Sequence, residues 1–192
     1  MRRRLLILGA GGHGRAVAEA VAAGAEYELV GFLDDAFPAL TTVWDAPVLG
    51  RIGDWRGHVH QADELFVAIG SNRVREAVTR SLVDAGLVLA TVTHPRAIVS
   101  PRAIIGPGSA VMAGAIVGTE ARLGVGVIVN CAAVVDHHCT VSDFGHLGVG
   151  AVMAGGSVLG QSAWMQAGAA LGYGVVVRDG VTLEPGMAVA AP

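Results

Sequence analysis

The sequence predicts two domains of different fold class: an α/β, half-Rossmann-like domain over residues 1–94 and an all-β parallel β-helix over residues 95–192. In the first part, apolar strand-like runs alternate with helix-like segments, which favours a small parallel sheet with helices packed on it. The second part repeats with a period of six residues. We place the boundary at Thr93-His94-Pro95, because proline restricts the residue before it to extended conformations.

The repeat runs from Val99 to Val189, and every sixth residue in it is aliphatic or methionine. The residue four places after each of these is small in most repeats. Six residues turn an α-helix by about 600°, so this series would wind around a helix instead of forming one apolar stripe. Short strands joined by turns place both series in one interior, which predicts stacked coils. Glycine follows many of the large residues, for example Gly106 and Gly118, and we expect it to supply the turn conformations.

The first domain is predicted to contain four strands and two helices. Strands are expected at residues 4–8, 27–33, 65–69 and 87–92, and helices at residues 15–23 and from residue 74 to the region of residue 85. Val74, Val78 and Leu82 recur on a helical spacing, so we expect them on the apolar face of the second helix. Residues 36–63 show no regular period and are predicted to be mostly loop.

Composition and charge exclude several functional classes. The 192 residues are 53% hydrophobic, enough for a sizeable core, and a net charge of −3 does not favour a nucleic-acid partner. The apolar runs are shorter than the roughly 20 residues of a membrane helix, so we expect a cytoplasmic protein without membrane insertion. Cys131 and Cys139 do not make a disulfide framework. Adjacent His137 and His138 would diverge on an extended chain, and no metal site is expected.

A glycine-rich turn follows the first strand. Gly9, Gly11 and Gly14 fit the pattern G-x-G-x-x-G, and Asp34 and Asp35 follow about twenty residues later, which is the fingerprint of dinucleotide binding. The domain is too short, however, to include a separate substrate domain. Since a helix N-terminus favours any phosphate, we favour a nucleotide-sugar diphosphate as the ligand. A dinucleotide and a purely structural turn stay open as alternatives.

Five motifs carry a resemblance to a known family. They are G-A-G-G-H-G at residues 9–14, F-L-D-D at 32–35, A-I-G-S-N-R at 68–73, N-C-A-A-V-V-D-H-H-C at 130–139 and F-G-H-L-G-V-G at 144–150. With these motifs the chain resembles the sugar O-acyltransferase family of hexapeptide-repeat proteins, which includes the sialic acid O-acetyltransferases. Within that family, the chain is most similar to bacterial N-acetyltransferases that act on nucleotide-linked 4-amino sugars.

The resemblance implies a fold, an assembly and a reaction. The β-helix would be left-handed, and three copies would form a homotrimer with active sites between neighbouring helices. The implied reaction transfers acetyl from acetyl-CoA to the amine of a nucleotide-linked amino sugar, such as a UDP-amino sugar, for glycan biosynthesis. Two alternatives remain: O-acetylation of a sugar such as sialic acid, and a catalytically degenerate structural trimer.

The reaction needs a general base. An amine that attacks a thioester must lose a proton, and imidazole is the side chain best suited to accept it near neutral pH. The resemblance assigns this role to His137 and places Asn130 near the reacting groups. In the family an acidic residue commonly follows the base, but here His138 occupies that position. We therefore expect Asp136 or Asp143 to orient the imidazole.

The same resemblance implies the binding residues for acetyl-CoA. His146 matches a position near the acetyl group, and we expect it to face outward because it precedes an inward repeat residue. The backbone N–H of Gly155 matches the donor to the oxyanion of the tetrahedral intermediate. The pantetheine arm would pass near Gly172 and Gly174.

The predicted substrate-binding residues lie in the first domain. They are Gly11, His13 and Gly14 for the phosphates, Asp34 and Asp35 for the base or ribose, and Asn72 and Arg73 after the third strand. Ligands of such sheets bind at the carboxyl ends of the strands. Arg73 also has the charge to bind a phosphate.

Overall fold

The computed structural model describes residues 1–191 and divides into two compact units, Met1–Val92 and Thr93–Pro192. Pro192, the last residue of the predicted second domain, lies outside the described residues. The first unit is an α/β domain and the second is a left-handed parallel β-helix, as the sequence predicts.

In the part of the chain that the structure describes, the first unit is a five-stranded sheet with two α-helices. Its strands are β1 (Arg3–Leu8), β2 (Tyr27–Leu33), β3 (Thr42–Val43), β4 (Ala46–Gly50) and β5 (Glu64–Val67), and its helices are α1 (Gly12–Ala23) and α2 (Asn72–Asp84). The strand order is β3-β4-β2-β1-β5, with β1, β2, β4 and β5 parallel and β3 antiparallel to β4. At 12 and 13 residues, these helices are too short to cross a bilayer.

Residues 36–63 are more regular than the sequence predicts. Strands β3 and β4 form there, and two 3₁₀ helices follow at Ile52–Gly57 and Val59–Gln61. Elements this short do not produce a period that a sequence reveals. The predicted strand at residues 87–92, in contrast, consists of a bridge between Leu65 and Leu89 and of β6 (Val92–Thr93).

Helix α2 buries a different face from the predicted one. Its buried residues are Arg75, Thr79 and Leu82, whereas Val74 is 38% exposed. Leu82 belongs to both sets, but Arg75 and Thr79 each lie one residue, about 100° around the helix, from Val74 and Val78, so the buried face is shifted towards them. The prediction is wrong for Val74, because the buried guanidinium of Arg75 finds hydrogen-bond partners beneath the helix.

The second unit winds the chain into coils of 18 residues. Sixteen two-residue strands run from β7 (Ile98–Val99) to β22 (Ala188–Val189) within the described residues, one for each repeat. Each strand from β7 to β19 pairs in parallel with the strand three repeats later, so residue n lies beside residue n + 18. Together with β6 they form three sheets, which we call the faces of a prism. The strands between them are β8 (Ile104–Ile105), β9 (Ala110–Val111), β10 (Ile116–Val117), β11 (Arg122–Leu123), β12 (Ile128–Val129), β13 (Val134–Val135), β14 (Thr140–Val141), β15 (His146–Leu147), β16 (Val152–Met153), β17 (Val158–Leu159), β18 (Trp164–Met165), β19 (Ala170–Leu171), β20 (Val176–Val177) and β21 (Thr182–Leu183).

The large residue of each repeat fills the interior of the prism. It is the second residue of every strand from β7 to β22. These residues are buried except for Val99, Ile105 and Val189, which belong to the first and last coils and are partly buried. Burial of each aliphatic side chain contributes roughly 1.5–3 kcal/mol, so the repeat supplies a core that contains no aromatic side chain.

The corners of the prism use the left-handed backbone region. The residue three places after the large one has a positive φ in most repeats, and it is commonly glycine, as at Gly126 and Gly150. Glu120 and His138 occupy the same position with φ values of 59° and 57°. Corner residues of successive coils therefore stack 18 residues apart.

The glycines that directly follow the large residues serve another purpose. A Cβ on Gly106 would lie 2.4 Å from the carbonyl oxygen of Gly124 in the next coil, and one on Gly118 would lie 2.8 Å from the carbonyl carbon of Asp136. The expectation that these glycines supply turn conformations is wrong. They are needed because the backbones of successive coils approach too closely for a side chain.

Candidate active site

Two histidines and a glutamate form a hydrogen-bonded chain at one corner of the prism. Nε2 of His138 lies 2.9 Å from Oε2 of Glu120, one coil earlier, and Nδ1 of His138 lies 3.0 Å from Nδ1 of His137. The three side chains are about half exposed: 60% for His138, 54% for Glu120 and 49% for His137. Within residues 1–191, no group of three or more His, Cys, Asp or Glu side chains is placed to hold a metal ion. The series of hydrogen bonds ends at the imidazole of His137, which the sequence predicts as the general base.

The imidazole of His137 packs against Gly155 of the following coil. A Cβ on Gly155 would lie 2.4 Å from Cε1 and 2.5 Å from Nε2 of the ring, so only glycine leaves room for it. The backbone N–H of Gly155 has no acceptor among residues 1–191. The equivalent N–H groups of Val125 and Gln161 donate to aspartate side chains. A half-exposed imidazole therefore lies against a buried glycine whose N–H has no acceptor among residues 1–191.

Of the two aspartates predicted to orient the base, Asp136 is beside His137. Its Oδ1 accepts the backbone N–H of His137 at 2.7 Å, and its Oδ2 lies 3.7 Å from Nε2 of the ring, beyond hydrogen-bonding distance. Asp143 instead accepts the N–H of Val125 at 2.8 Å and braces the preceding coil. The carboxylate joined to the imidazoles is that of Glu120, which the sequence analysis did not identify. Its separation of 18 residues from His138, one full coil, is the signal that could have located it.

Two further polar side chains brace turns of the prism, but the turn of Asn130 follows β12 and lies at a different corner from His137, which follows β13 on another face. Oδ1 of Asn130 accepts the N–H of Cys131 at 2.8 Å, so this part of the amide closes its own turn. The thiol of Cys139, buried in the prism, contacts the carbonyl oxygen of Ala154 at 3.2 Å. Because Ala154 precedes Gly155, this contact helps to fix the peptide group that includes the N–H of Gly155.

His146 lies on an outer face of the prism but is not exposed. It is 7% accessible, and its ring stacks on that of Trp164 in the next coil, with centroids 5.4 Å apart and planes 15° from parallel. Ile128, paired with His146 on its other side, is 1% accessible. The side chain is thus outward-facing, as expected, yet covered. Its role near the acetyl group stays a prediction.

The two glycines predicted to line the pantetheine arm differ in their surroundings. Gly174 is a corner residue with a φ of 67°, its N–H donates to the carbonyl of Gly155 at 3.1 Å, and a Cβ there would meet nothing within 4 Å. A Cβ on Gly172 would lie 3.2 Å from the backbone nitrogen of Ala191. Gly174 is therefore exposed with free space beside it, whereas Gly172 is explained by packing of the last coil.

The glycine-rich turn of the first unit opens the N-terminus of α1. Gly9 has a φ of 108°, and a Cβ on Gly14 would lie 2.0 Å from the carbonyl oxygen of Gly9, so these two residues are glycines for reasons of conformation and packing. Gly11 is the N-cap residue of α1, and a Cβ there would meet nothing within 4 Å. The helix N-terminus thus presents backbone N–H groups beside open space, the arrangement that favours a phosphate.

His13 lies in the first turn of α1 with a buried ring nitrogen. Its Nε2 atom has no hydrogen-bond partner among residues 1–191, and its ring lies 6.5 Å from that of Phe66. Burial, followed by the positive charge of Arg75, lowers the pKa of His13 to about 4. The imidazole is therefore neutral at neutral pH, and Nε2 is a polar atom that a ligand would satisfy.

Arg75 holds the loop after β5 and was missed by the sequence analysis. Its guanidinium is 1% accessible and donates to the carbonyls of Ile69 and Gly70 at 3.0 and 3.2 Å and to Oδ1 of Asn72 at 2.9 Å. Burial lowers the pKa of Arg75 to about 10, so the group stays charged. Asn72 is thereby fixed, whereas Arg73 is exposed. A buried arginine within a helix leaves no apolar pattern by which a sequence would reveal it.

The two aspartates after β2 brace the backbone. Asp34 accepts the N–H of Ala10 at 2.7 Å and that of Ala36 at 2.9 Å, and Asp35 accepts the N–H of Ile52 at 3.1 Å. Asp34 thus fixes the glycine-rich turn. Contact of either aspartate with a base or ribose stays a prediction.

Comparison with known proteins places both units in one family. The family model of the PglD N-terminal domain matches residues 4–82. The chain is 38% identical to the acetyltransferase domain of PglB from Neisseria gonorrhoeae FA1090, over 99% of this chain and 97% of that one, with a TM-score of 0.76. It is 34% identical to GDP-perosamine N-acetyltransferase from Caulobacter crescentus, over 97% of this chain and 92% of that one, with a TM-score of 0.83. WeeI from Acinetobacter baumannii AYE shares the fold, at 21% identity, a TM-score of 0.64 and coverage of 96% and 92%.

Coils of six-residue repeats with an imidazole on their outer wall define an acetyltransferase of the hexapeptide-repeat class. At 38% and 34% identity over nearly the whole length, the chain belongs to the family that contains the PglB acetyltransferase domain and GDP-perosamine N-acetyltransferase. This result confirms the family resemblance drawn from the motifs of both domains.

Proposed function

We propose that the protein transfers acetyl from acetyl-CoA to the amine of a nucleotide-linked amino sugar. Two relatives support the proposal. The PglB acetyltransferase domain was solved with acetyl coenzyme A, and a histidine-to-alanine variant of GDP-perosamine N-acetyltransferase was solved with CoA and GDP-perosamine. Both match this chain over more than nine tenths of its length.

The observation that carries the proposal is the contact between His137 and Gly155. The imidazole, which can accept a proton, lies beside a backbone N–H that has no acceptor among residues 1–191. Acyl transfer to an amine needs these two groups together. The His137 side chain is 49% exposed and therefore accessible to substrates, whereas Gly155 is buried beside its ring. Asp136 adds a negative charge 3.7 Å from the imidazole, where it would stabilise the imidazolium that forms.

The reaction then follows in two steps. The sugar amine attacks the thioester carbonyl, a C–N bond forms, and a ring nitrogen of His137 takes the proton that the amine loses. The N–H of Gly155 donates to the oxyanion of the tetrahedral intermediate. Collapse breaks the C–S bond and releases the thiolate of CoA, which takes the proton from His137, leaving the N-acetylated sugar and a neutral imidazole. Asn130 lies at another corner of the prism, so it would reach the amine only from a neighbouring copy of the chain.

The first unit would bind the nucleotide sugar. The open N-terminus of α1 at Gly11 favours the diphosphate, and Nε2 of His13 would meet a phosphate or sugar oxygen. The loop that Arg75 fixes would supply Asn72, and exposed Arg73 would add a positive charge. Whether the base is guanine, uracil or thymine is decided by the assay below.

The resemblance to the family further supports a homotrimer, with a neighbouring copy completing the acetyl-CoA site near Gly174. We also propose that the enzyme acts in the cytoplasm, where acetyl-CoA and nucleotide sugars are available. Light scattering of the purified chain tests the assembly: a mass three times the 19.5 kDa of one chain is expected, and a monomer would contradict it.

An acetyl-transfer assay tests the function. The purified chain is mixed with acetyl-CoA and with GDP-perosamine or UDP- and dTDP-linked 4-amino sugars, and CoA release is followed with a thiol reagent. Sialic acid and nucleotide sugars with a hydroxyl in place of the amine serve as controls. We expect release with at least one amino sugar and an N-acetylated product by mass spectrometry. Release with no amino sugar, or with the hydroxyl acceptors alone, would overturn the proposal.

A further inference from the structure

We propose that Glu120 and His138 form a relay that sets the proton position on His137, so that the base acts through its Nε2 atom. The inference rests on the proposed function, because it concerns the same imidazole. Neither residue touches the reacting atoms, so both are positioning residues that act through His137.

The relay is built by the geometry of the coils. Glu120 and His138 are corner residues of successive coils, and both have left-handed backbone conformations. The backbone N–H of His138 also donates to the carbonyl of Thr119 at 3.0 Å, which locks the two corners one above the other. This stacking brings the glutamate carboxylate to 2.9 Å from Nε2 of His138.

The carboxylate decides where the protons lie. An ionised carboxylate accepts hydrogen bonds and donates none, so Nε2 of His138 must carry a proton. In neutral His138 the other nitrogen, Nδ1, is then an acceptor, and it lies 3.0 Å from Nδ1 of His137. Nδ1 of His137 must therefore be the donor in this pair. That leaves the lone pair of His137 on Nε2, which with Cε1 is one of the two ring atoms nearest to Gly155.

The relay also supplies the negative charge that an acidic residue at position 138 would otherwise provide. His138 is hydrogen-bonded both to His137 and to Glu120, so the negative charge is that of the Glu120 carboxylate, one coil earlier. When Nε2 of His137 takes the proton of the amine, the resulting imidazolium donates from Nδ1 to His138, whose other nitrogen remains bonded to the carboxylate. No proton needs to leave His138 in this step.

Glu120→Gln is the first test, with Glu184→Gln as the matched control. Glu184 is another exposed glutamate of the prism, it lies 3.5 Å from the side chain of Gln166, and it follows β21 on a different face from β13, which precedes His137 and His138. We expect Glu120→Gln to lower kcat by about tenfold, less than the roughly 10²–10⁴ that a general base contributes, with little change in KM. Glu184→Gln should keep the wild-type kcat. Wild-type kcat in Glu120→Gln would overturn the relay.

His138→Glu provides a rescue test that a merely structural role would fail. Glu120 shows that a glutamate accommodates the left-handed conformation of this corner. A carboxylate at position 138 would accept the Nδ1–H of His137 directly, so this variant should retain most of the activity. In this background Glu120→Gln should cost much less than its tenfold loss in the wild type. An equal loss in both backgrounds would show that Glu120 does not act through His138.

Nitrogen-15 NMR of the histidine rings tests the relay without any substrate. The full-length protein should show His137 with a protonated Nδ1 and an unprotonated Nε2, and Glu120→Gln should mix the two tautomers. A wild-type His137 protonated on Nε2 would overturn the relay even if the enzyme is active. Absence of acetyl transfer with the expected tautomer would instead overturn the proposed function, so the two failures are distinguishable.

Discussion

The imidazole of His137 occupies the space that a side chain on Gly155 would fill, because a Cβ there would lie 2.4 Å from Cε1 of the ring. The absent side chain makes room for the base beside a buried N–H that has no acceptor among residues 1–191. One glycine thus brings together the two groups that acyl transfer needs.

Gly155→Ala should therefore damage catalysis more than folding. The methyl group would push the imidazole away from its position, and a displacement near 1 Å costs roughly 100-fold in rate. We expect kcat to fall by about that factor, measured by thiol release, with a nearly unchanged melting temperature. Gly53→Ala is the control, since a Cβ there meets nothing within 4 Å. An alanine variant at position 155 with full activity would show that the contact is irrelevant to catalysis.

Arg75→Ala should lower both stability and nucleotide-sugar affinity. It removes the donor from the carbonyls of Ile69 and Gly70 and frees Asn72. The loss in free energy of unfolding should be roughly 2–4 kcal/mol, measured by urea denaturation, because buried acceptors lose a charged donor. KM for the nucleotide sugar should rise more than kcat falls.

Exposed Arg73→Ala serves as the stability control for Arg75. Its free energy of unfolding should match the wild type. Equal stability of both variants would contradict the role assigned to the Arg75 guanidinium.

The pKa of His13 predicts how stability depends on pH. The pKa is lowered to about 4 in the folded state from 6.5, so the unfolded state binds more protons between these values. Stability is then complete above pH 6.5 and is lost as the pH falls towards 4, by roughly 2–3 kcal/mol for this group. His13→Gln should reduce the difference in free energy of unfolding between pH 7 and pH 5. An identical difference in both proteins would show that His13 does not titrate as described.

The fold of the prism could be predicted because its signal is local and repeated. Each large residue from Val99 to Val189 needs only the period of six to be located, and the structure finds it in a strand. The contacts between successive coils were harder to predict from the sequence. Glu120 meets His138 because both are corner residues, and the sequence analysis placed neither at a corner. The same gap explains the wrong account of Gly106, whose constraint comes from the next coil.

In the first unit, the sequence identified residues at the turn but not what they contact. Gly14 and Asp34 were assigned to a ligand, and the structure shows that each also holds the turn itself. Arg75 was missed because a buried charge is recognised by its carbonyl partners, which only the folded loop brings together. Apolar periodicity instead drew attention to Val74, which is exposed.

The rate of CoA release in His137→Ala, with acetyl-CoA and the accepted amino sugar both saturating, tests the central claim most directly. The side chain is half exposed, so its removal should leave the fold intact. The account predicts a kcat at least about 100-fold below the wild type, with acetyl-CoA still bound in calorimetry. Wild-type turnover in this variant would show that the base lies elsewhere.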